Sequence, residues 1–147
     1  VTDLKSFADL VSLDYGLCVA VTLRGDGTPQ ATVVNAGVLP HPVTGTDTVG
    51  FVSPSATVKL ANLRANPTIA LTIRGGWQWT TIEGSAQLIG PDDPYPDIDD
   101  ERQRLLIREI FAAAGVTHDW DTYDQVMRDK RGTAVLLTPS RIYSNPA

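Results

Sequence analysis

Two β-patterned runs joined by a five-residue turn constrain this chain most. Leu17 to Arg24 is rich in β-branched and apolar residues and reads as a strand. Gly25-Asp26-Gly27-Thr28-Pro29 is dense turn chemistry, and Gln30 to Leu39 returns as a second strand. Such a hairpin commits the fold to an antiparallel sheet close to its start. Thr48 to Ser53, Thr68 to Arg74, Trp77 to Ile89 and Thr133 to Thr138 supply four further strands. Arg141-Ile142-Tyr143 extends the last one past Pro139, and Gly75-Gly76 forms a tight turn before Trp77.

Helices interrupt this series. Leu4, Phe7, Leu10 and Val11 share one face of an opening helix capped by Thr2 or Asp3. A second helix is expected over Ser55 to Ala65, with Pro54 in its first turn and Ser53 or Ser55 as cap. Asn66-Pro67 stops it. Glu101 to Ala114 is amphipathic, with Leu105, Leu106, Ile110 and Phe111 inward and Gly115 as its stop. A last helix is expected over Trp120 to Lys130. Pro40 to Asp47 and Gly90 to Asp100 read as loops.

The expected class is mainly β with helices (α+β): a six-stranded antiparallel barrel or closed sheet with helical covers. Closure is favoured because it removes exposed edges. No G-x-G-x-x-G follows the first strand and helices do not alternate regularly with strands, which argues against a Rossmann domain. The 147 residues suit a single domain over 1–147.

The net charge of −5 argues against non-specific binding to nucleic acid or an anionic membrane. No apolar stretch approaches the roughly 20 residues of a membrane span. Val1-Thr2-Asp3-Leu4-Lys5 lacks the basic-then-apolar form of a signal peptide. The single cysteine, Cys18, lies in an apolar run and is expected in the core, in a reducing compartment. The expected location is cytoplasmic.

His41 and His118 belong to no ligand-spaced cluster, so no metal site is expected, and His41 between two prolines reads as part of a solvated loop. There is no G-x-S-x-G elbow. Asp97, Asp99, Asp100 and Glu101 lead into a helix, where acids favour the N-terminal dipole.

The richest stretch is Phe51-Val52-Ser53-Pro54-Ser55-Ala56-Thr57-Val58-Lys59. Here a strand enters a hydroxyl-bearing turn and then a helix. Helix-start N–H groups favour an anion, Ser53, Ser55 and Thr57 offer hydrogen bonds, and Lys59 offers charge. A phosphate cradle and a capped helix with one surface lysine both satisfy this pattern. Trp77-Gln78-Trp79 opens the long strand, and alternation puts both tryptophans on one face, as core, dimer contact or pocket wall.

Beyond these residues, the chain resembles the split β-barrel proteins related to pyridoxamine 5′-phosphate oxidase, and more closely their flavin- and deazaflavin-dependent branch. The resemblance lies in the hairpin Val19-Ala20-Val21-Thr22 through Ala31-Thr32-Val33-Val34, in Gly50-Phe51-Val52-Ser53, and in Lys59-Leu60-Ala61-Asn62-Leu63-Arg64-Ala65-Asn66-Pro67. Glu83-Gly84-Ser85-Ala86 and Val135 to Tyr143 fit as well.

The resemblance implies a homodimer with two cofactor sites at the subunit interface. It implies that Thr32, Val33, Val34, Asn35 and Ala36 lie along a tricyclic ring, with Ser53, Thr57 and Lys59 holding the phosphate. Trp77, Gln78 and Trp79 would close the site from the other subunit. It further implies hydride transfer from reduced coenzyme F420, a deazaflavin, to an unsaturated or conjugated small-molecule substrate. FMN is the alternative cofactor, and a non-catalytic carrier the alternative role. Many relatives carry arginine where this chain has Thr57; Arg64 or Arg74 are the candidates to replace that charge. No general acid is assigned, Tyr143 being a candidate. No pyridoxal phosphate substrate motif stands near the C-terminus, which disfavours vitamin B6 oxidation.

Overall fold

The computed structural model describes residues 3–117 and 119–146, so Thr2 and His118 lie outside the described residues. Its elements are α1 (Leu4–Val11), β1 (Leu17–Leu23), β2 (Pro29–Asn35), β3 (Gly37–Pro40), β4 (Asp47–Ser53) and α2 (Val58–Ala65). β5 (Thr68–Gly75), β6 (Gln78–Ile89), α3 (Asp100–Ala113), α4 (Trp120–Asp129) and β7 (Thr133–Ser144) follow. Asp3 caps α1, its carboxylate accepting from the Lys5 N–H.

The strands form one antiparallel sheet in the order β2-β1-β5-β6-β7-β4-β3. This corrects the expectation of six strands in a closed barrel: the described residues form seven, and the ladder is open. The expected strand Gln30 to Leu39 breaks at Ala36, whose halves become the two edges of the sheet. Because one residue joins those edges, the sheet must curl round on itself. β2 accordingly lies against β4 without a ladder between them.

The break has a local cause. The Ala36 N–H donates to the Gly16 carbonyl at 2.9 Å, and Asn35 Nδ2 donates to the Tyr15 carbonyl at 2.8 Å. The chain is therefore tied to the α1–β1 turn at the point where it would otherwise continue along β4. Gly16 holds φ +66°, and a Cβ there would stand 2.0 Å from the Ala36 oxygen. Glycine is required by both the conformation and the approach.

Inside the curl, Phe7, Cys18, Ala20, Val34, Phe51, Leu60, Leu63, Leu71 and Ile82 form the main core. Cys18 is buried as expected, and burial pushes its thiol up to about 12, so it is no nucleophile near neutrality. α3 packs Leu106 and Ile110 against Leu39, Ile89 and Leu136 in a second cluster. α4 buries no residue fully. It is held to α3 by Asp124, which accepts from Arg104 and Arg108, and by Tyr123 set edge-on against Phe111.

His41 is buried, which corrects its placement in a solvated loop. Its Nδ1 accepts the Val43 and Thr44 N–H groups, which leaves Nε2 to donate to Gln87 Oε1 at 2.7 Å. It is a structural pin for the β3–β4 loop. Among the described residues no helix is long and apolar enough to cross a membrane.

Candidate functional site: an anion cradle at the open side of the sheet

β2 lies beside β4 with no ladder between them, and this gap, called the wedge below, is the open side of the sheet; α2 joins β4 to the start of β5. α2 begins at Val58 with Thr57 as N-cap, later than the expected start at Ser55. Ser53 is not its cap. Its hydroxyl is paired instead with Thr57 Oγ1 at 2.9 Å, and both hydroxyls reach the Pro54 carbonyl. Ser55 is captured elsewhere: it donates to Asp92 Oδ2 at 2.6 Å and accepts from Arg64.

Thr57 makes no side-chain capping bond, and no acid occupies the first turn of α2. The N–H groups of that turn therefore lack the side-chain cap that commonly satisfies them. Lys59 stands in the same turn, half-buried. Among the described residues it has no carboxylate or hydrogen-bond partner, and burial alone lowers its pKa below 10.5. A cation at a helix N-terminus also opposes the helix dipole. Desolvation and dipole thus both leave this charge uncompensated, and an anion would relieve both.

The strand side of the wedge carries a matching group. Thr32 Oγ1 is buried without a hydrogen-bond partner among the described residues. Asn62 Nδ2 donates to Thr22 Oγ1 at 3.0 Å, and Thr22 donates to Gln30 Oε1 at 3.2 Å. Lys59 lies one turn before Asn62 on the same helix face. Thr32 lies two residues after Gln30 on the same strand face. The two unsatisfied groups therefore flank one inter-element link. The link itself, Asn62-Thr22-Gln30, was not legible in sequence because its members are far apart along the chain.

The other expected site residues fall differently. Val34 is buried in the core, and Ala36 is fully buried at the bend. Val33 points to the outer face and is 65% exposed. Asn35 is spent on Tyr15. Trp77 belongs to the β5–β6 turn rather than to the strand and is 94% exposed, while Gln78 pairs with Gly75. Trp79 packs edge-on against Tyr143. Ser53 sits opposite Thr133 at the start of β7, and Thr80 opposite Ser144 at its end. The tryptophan hairpin and the cradle thus mark opposite ends of β7.

Neither candidate arginine is placed beside Lys59 as a free charge. Arg64 is bidentate on Asp93 and also donates to the Ser55 carbonyl. Arg74 donates to the Gly76 carbonyl in the distant hairpin. The Tyr143 hydroxyl donates to Glu83 Oε2 at 2.5 Å, which raises its pKa, so it is a weaker acid than a free tyrosine.

An open antiparallel sheet that curls on itself, with Lys59 uncompensated at the start of α2, defines the class: a small, mainly β protein with helical covers. The family model of pyridoxamine 5′-phosphate oxidase matches residues 9–145, and the chain belongs to that family.

Solved structures agree at the level of fold. A conserved hypothetical protein, Rv2991 from Mycobacterium tuberculosis, is similar at 18% identity and TM-score 0.67, over 98% of this chain and 84% of that one. A pyridoxamine 5′-phosphate oxidase-related, FMN-binding protein from Nostoc punctiforme matches at 15% and 0.65, over 96% and 78%. A protein described as an F420 reductase matches at 14% and 0.60, over 86% and 88%.

One substitution separates the site from the core. Thr32→Val keeps the shape and removes the orphan hydroxyl. It should stabilise the free protein by up to about 1 kcal/mol, because an unsatisfied buried polar group is removed. A ligand that met that hydroxyl would bind more weakly to the variant, FMN and F420 being the ligands to test. A thermal melt and a fluorescence titration on the same preparation check both directions.

Proposed function

We propose that this protein is an oxidoreductase that binds a phosphorylated flavin-type cofactor in the wedge between β2 and β4. We take reduced coenzyme F420 as the cofactor and an unsaturated or conjugated organic molecule as the substrate. The observation that carries the reading is the pair of unsatisfied groups flanking the Asn62-Thr22-Gln30 link, the uncompensated Lys59 ammonium and the orphan Thr32 hydroxyl.

The residues fit such a group. Lys59, the first N–H groups of α2 and the Ser53 and Thr57 hydroxyls would hold the phosphate. β2 is an edge strand bonded only to β1, so alternate backbone groups are left to meet a ring's polar edge. When bound, the cofactor supplies hydride chemistry; the protein binds and orients it and keeps water from the ring.

Two further observations support a homodimer. Leu17, Val19 and Val33 leave an apolar outer face exposed, beside a groove of about 460 Å³ that Thr72 and Arg74 also line. Across the sheet, Val33, Val19, Thr72, Thr81 and Tyr143 form one register row. The tryptophan hairpin lies at the far end of β7 from the cradle, as a site completed by a second copy would need.

The phosphate cradle does not choose between F420 and FMN, so FMN stands as the alternative. A non-catalytic carrier is favoured by one observation: Arg64, the nearer replacement for the missing arginine, is already committed. The test is turnover. We expect a colourless preparation that binds added F420 and oxidises its reduced form only when an acceptor is present. A yellow preparation with flavin absorbance replaces F420 with FMN. Tight binding without turnover across a broad acceptor panel overturns the enzyme in favour of the carrier.

A further inference from the structure

The β4–α2 turn is gripped by residues of α2, of the Gly90 to Asp93 loop and of the turn after α4. Ser55 is buried at its centre. Its hydroxyl donates to Asp92 Oδ2 at 2.6 Å and accepts from Arg64 Nη2 at 3.1 Å. Its carbonyl accepts from Arg64 Nη1 at 3.2 Å, and its N–H donates to the Lys130 carbonyl at 3.3 Å. Every polar group of Ser55 is thereby used.

Each partner is in turn fixed. Arg64 Nε and Nη2 donate to the two oxygens of Asp93 at 3.0 and 2.7 Å. Arg131 Nε and Nη2 both donate to Asp92, the shortest contact being 2.6 Å. Gly90 and Asp93 exchange backbone hydrogen bonds at 3.0 and 3.1 Å, which stiffens the loop that carries both aspartates. Arg131 holds φ +52°, a left-handed conformation unfavourable for a residue with a side chain. Three separate segments, α2, the Gly90 to Asp93 loop and the Lys130-Arg131 turn, therefore converge on one buried serine.

Stability is a weak explanation for this convergence. The Arg131–Asp92 pair is about half exposed, and exposed ion pairs stabilise little in water. A fixed turn is a better one. Ser53 and Thr57 flank Ser55 by two residues on either side, and Lys59 follows by four, so the clip sets the geometry of the whole cradle.

We propose that Asp92 and Arg64, with Arg131 behind Asp92, are positioning residues. They preorganise the Ser53–Thr57 turn for the phosphate end of the cofactor without touching the phosphate. This rests on the cofactor reading above. Rigid presentation of donors saves the ordering cost at binding, so its loss should appear in the phosphate-dependent part of the affinity.

The experiment compares ligands with and without the phosphate: FMN against riboflavin, and F420 against its phosphate-free chromophore. Each is titrated into the full chain, wild type, Asp92→Asn, Ser55→Ala and Lys59→Ala, with circular dichroism and melting curves alongside. For Asp92→Asn and Ser55→Ala we expect the phosphorylated ligand to lose about 3- to 10-fold in affinity, the size of one weakened polar contact. The phosphate-free ligand should bind unchanged. Equal losses for both ligands, or no loss for either, overturn the clip. If Lys59→Ala collapses the ratio and the clip variants do not, the clip alone fails. If Lys59→Ala leaves the ratio unchanged, or wild type binds neither pair, the cofactor reading fails and the clip falls with it.

Discussion

Lys59→Ala is expected to lower the affinity for FMN or F420 by about 1.5–3 kcal/mol, a factor of roughly 10 to 150, the range for a charge-assisted hydrogen bond. The folded chain tolerates the change. Among the described residues Lys59 pairs with nothing, so no partner is orphaned by its loss. Alanine is also the better helix former and removes a cation from the wrong end of the α2 dipole. The melting temperature should therefore hold or rise slightly while affinity falls.

The same residue sets a pH dependence. Burial lowers the Lys59 pKa in the free protein, and a bound phosphate would raise it again. The phosphate-dependent affinity is thus complete below the free-state value. It starts to fall as pH rises past that value, earlier than an ordinary lysine would allow, and is lost by the higher pKa of the bound state. The ratio of FMN to riboflavin affinity isolates this effect, because titration of the shared ring cancels. An unchanged ratio across that range contradicts the assignment of Lys59.

Gly16→Ala carries the largest expected cost to the fold. The new Cβ would have to sit 2.0 Å from the Ala36 oxygen and 3.1 Å from the Ala36 nitrogen, on a backbone at φ +66°. The contact is with main chain, so no side-chain rotation relieves it. Left-handed strain adds about 1 kcal/mol and forced overpacking about 1–3 kcal/mol more, for a total of about 2–4 kcal/mol. For a domain of this size that corresponds to a fall in melting temperature of roughly 5–15 °C. The bend at Ala36 separates β2 from β4, so cofactor affinity should fall as well. A melt within about 2 °C of wild type, in the face of that expected cost, would refute the role given to the Gly16–Ala36 contact.

The residues show why some of this was legible in sequence and some was not. Strand positions followed from local alternation and from breakers such as Gly25 to Pro29 and Gly75-Gly76, and for β1, β4, β5 and β6 they held to within one residue at each end. The break at Ala36 depends on a hydrogen bond to Gly16, twenty residues earlier, and leaves no local signature. The start of α2 was misplaced for a similar reason. Ser53-Pro54-Ser55 has the composition of a cap, but Ser55 is claimed by Asp92, thirty-seven residues later.

His41 looks like a loop residue between prolines, yet Gln87 and two loop N–H groups draw it inside. Trp77 fits a strand pattern but falls in the turn ahead of β6. Lys59 was legible as a candidate; its missing partner was not, since that is a property of everything packed around it.

If the wedge between β2 and β4 is a phosphate-anchored cofactor site, the phosphate must carry much of the affinity. Side-by-side titration of the wild-type chain with FMN, F420 and riboflavin tests it most directly. We expect saturable binding of at least one phosphorylated cofactor, with riboflavin weaker than FMN by at least about tenfold, the worth of one charge-assisted contact. Equal affinity for FMN and riboflavin, or no binding of any of the three, would contradict it.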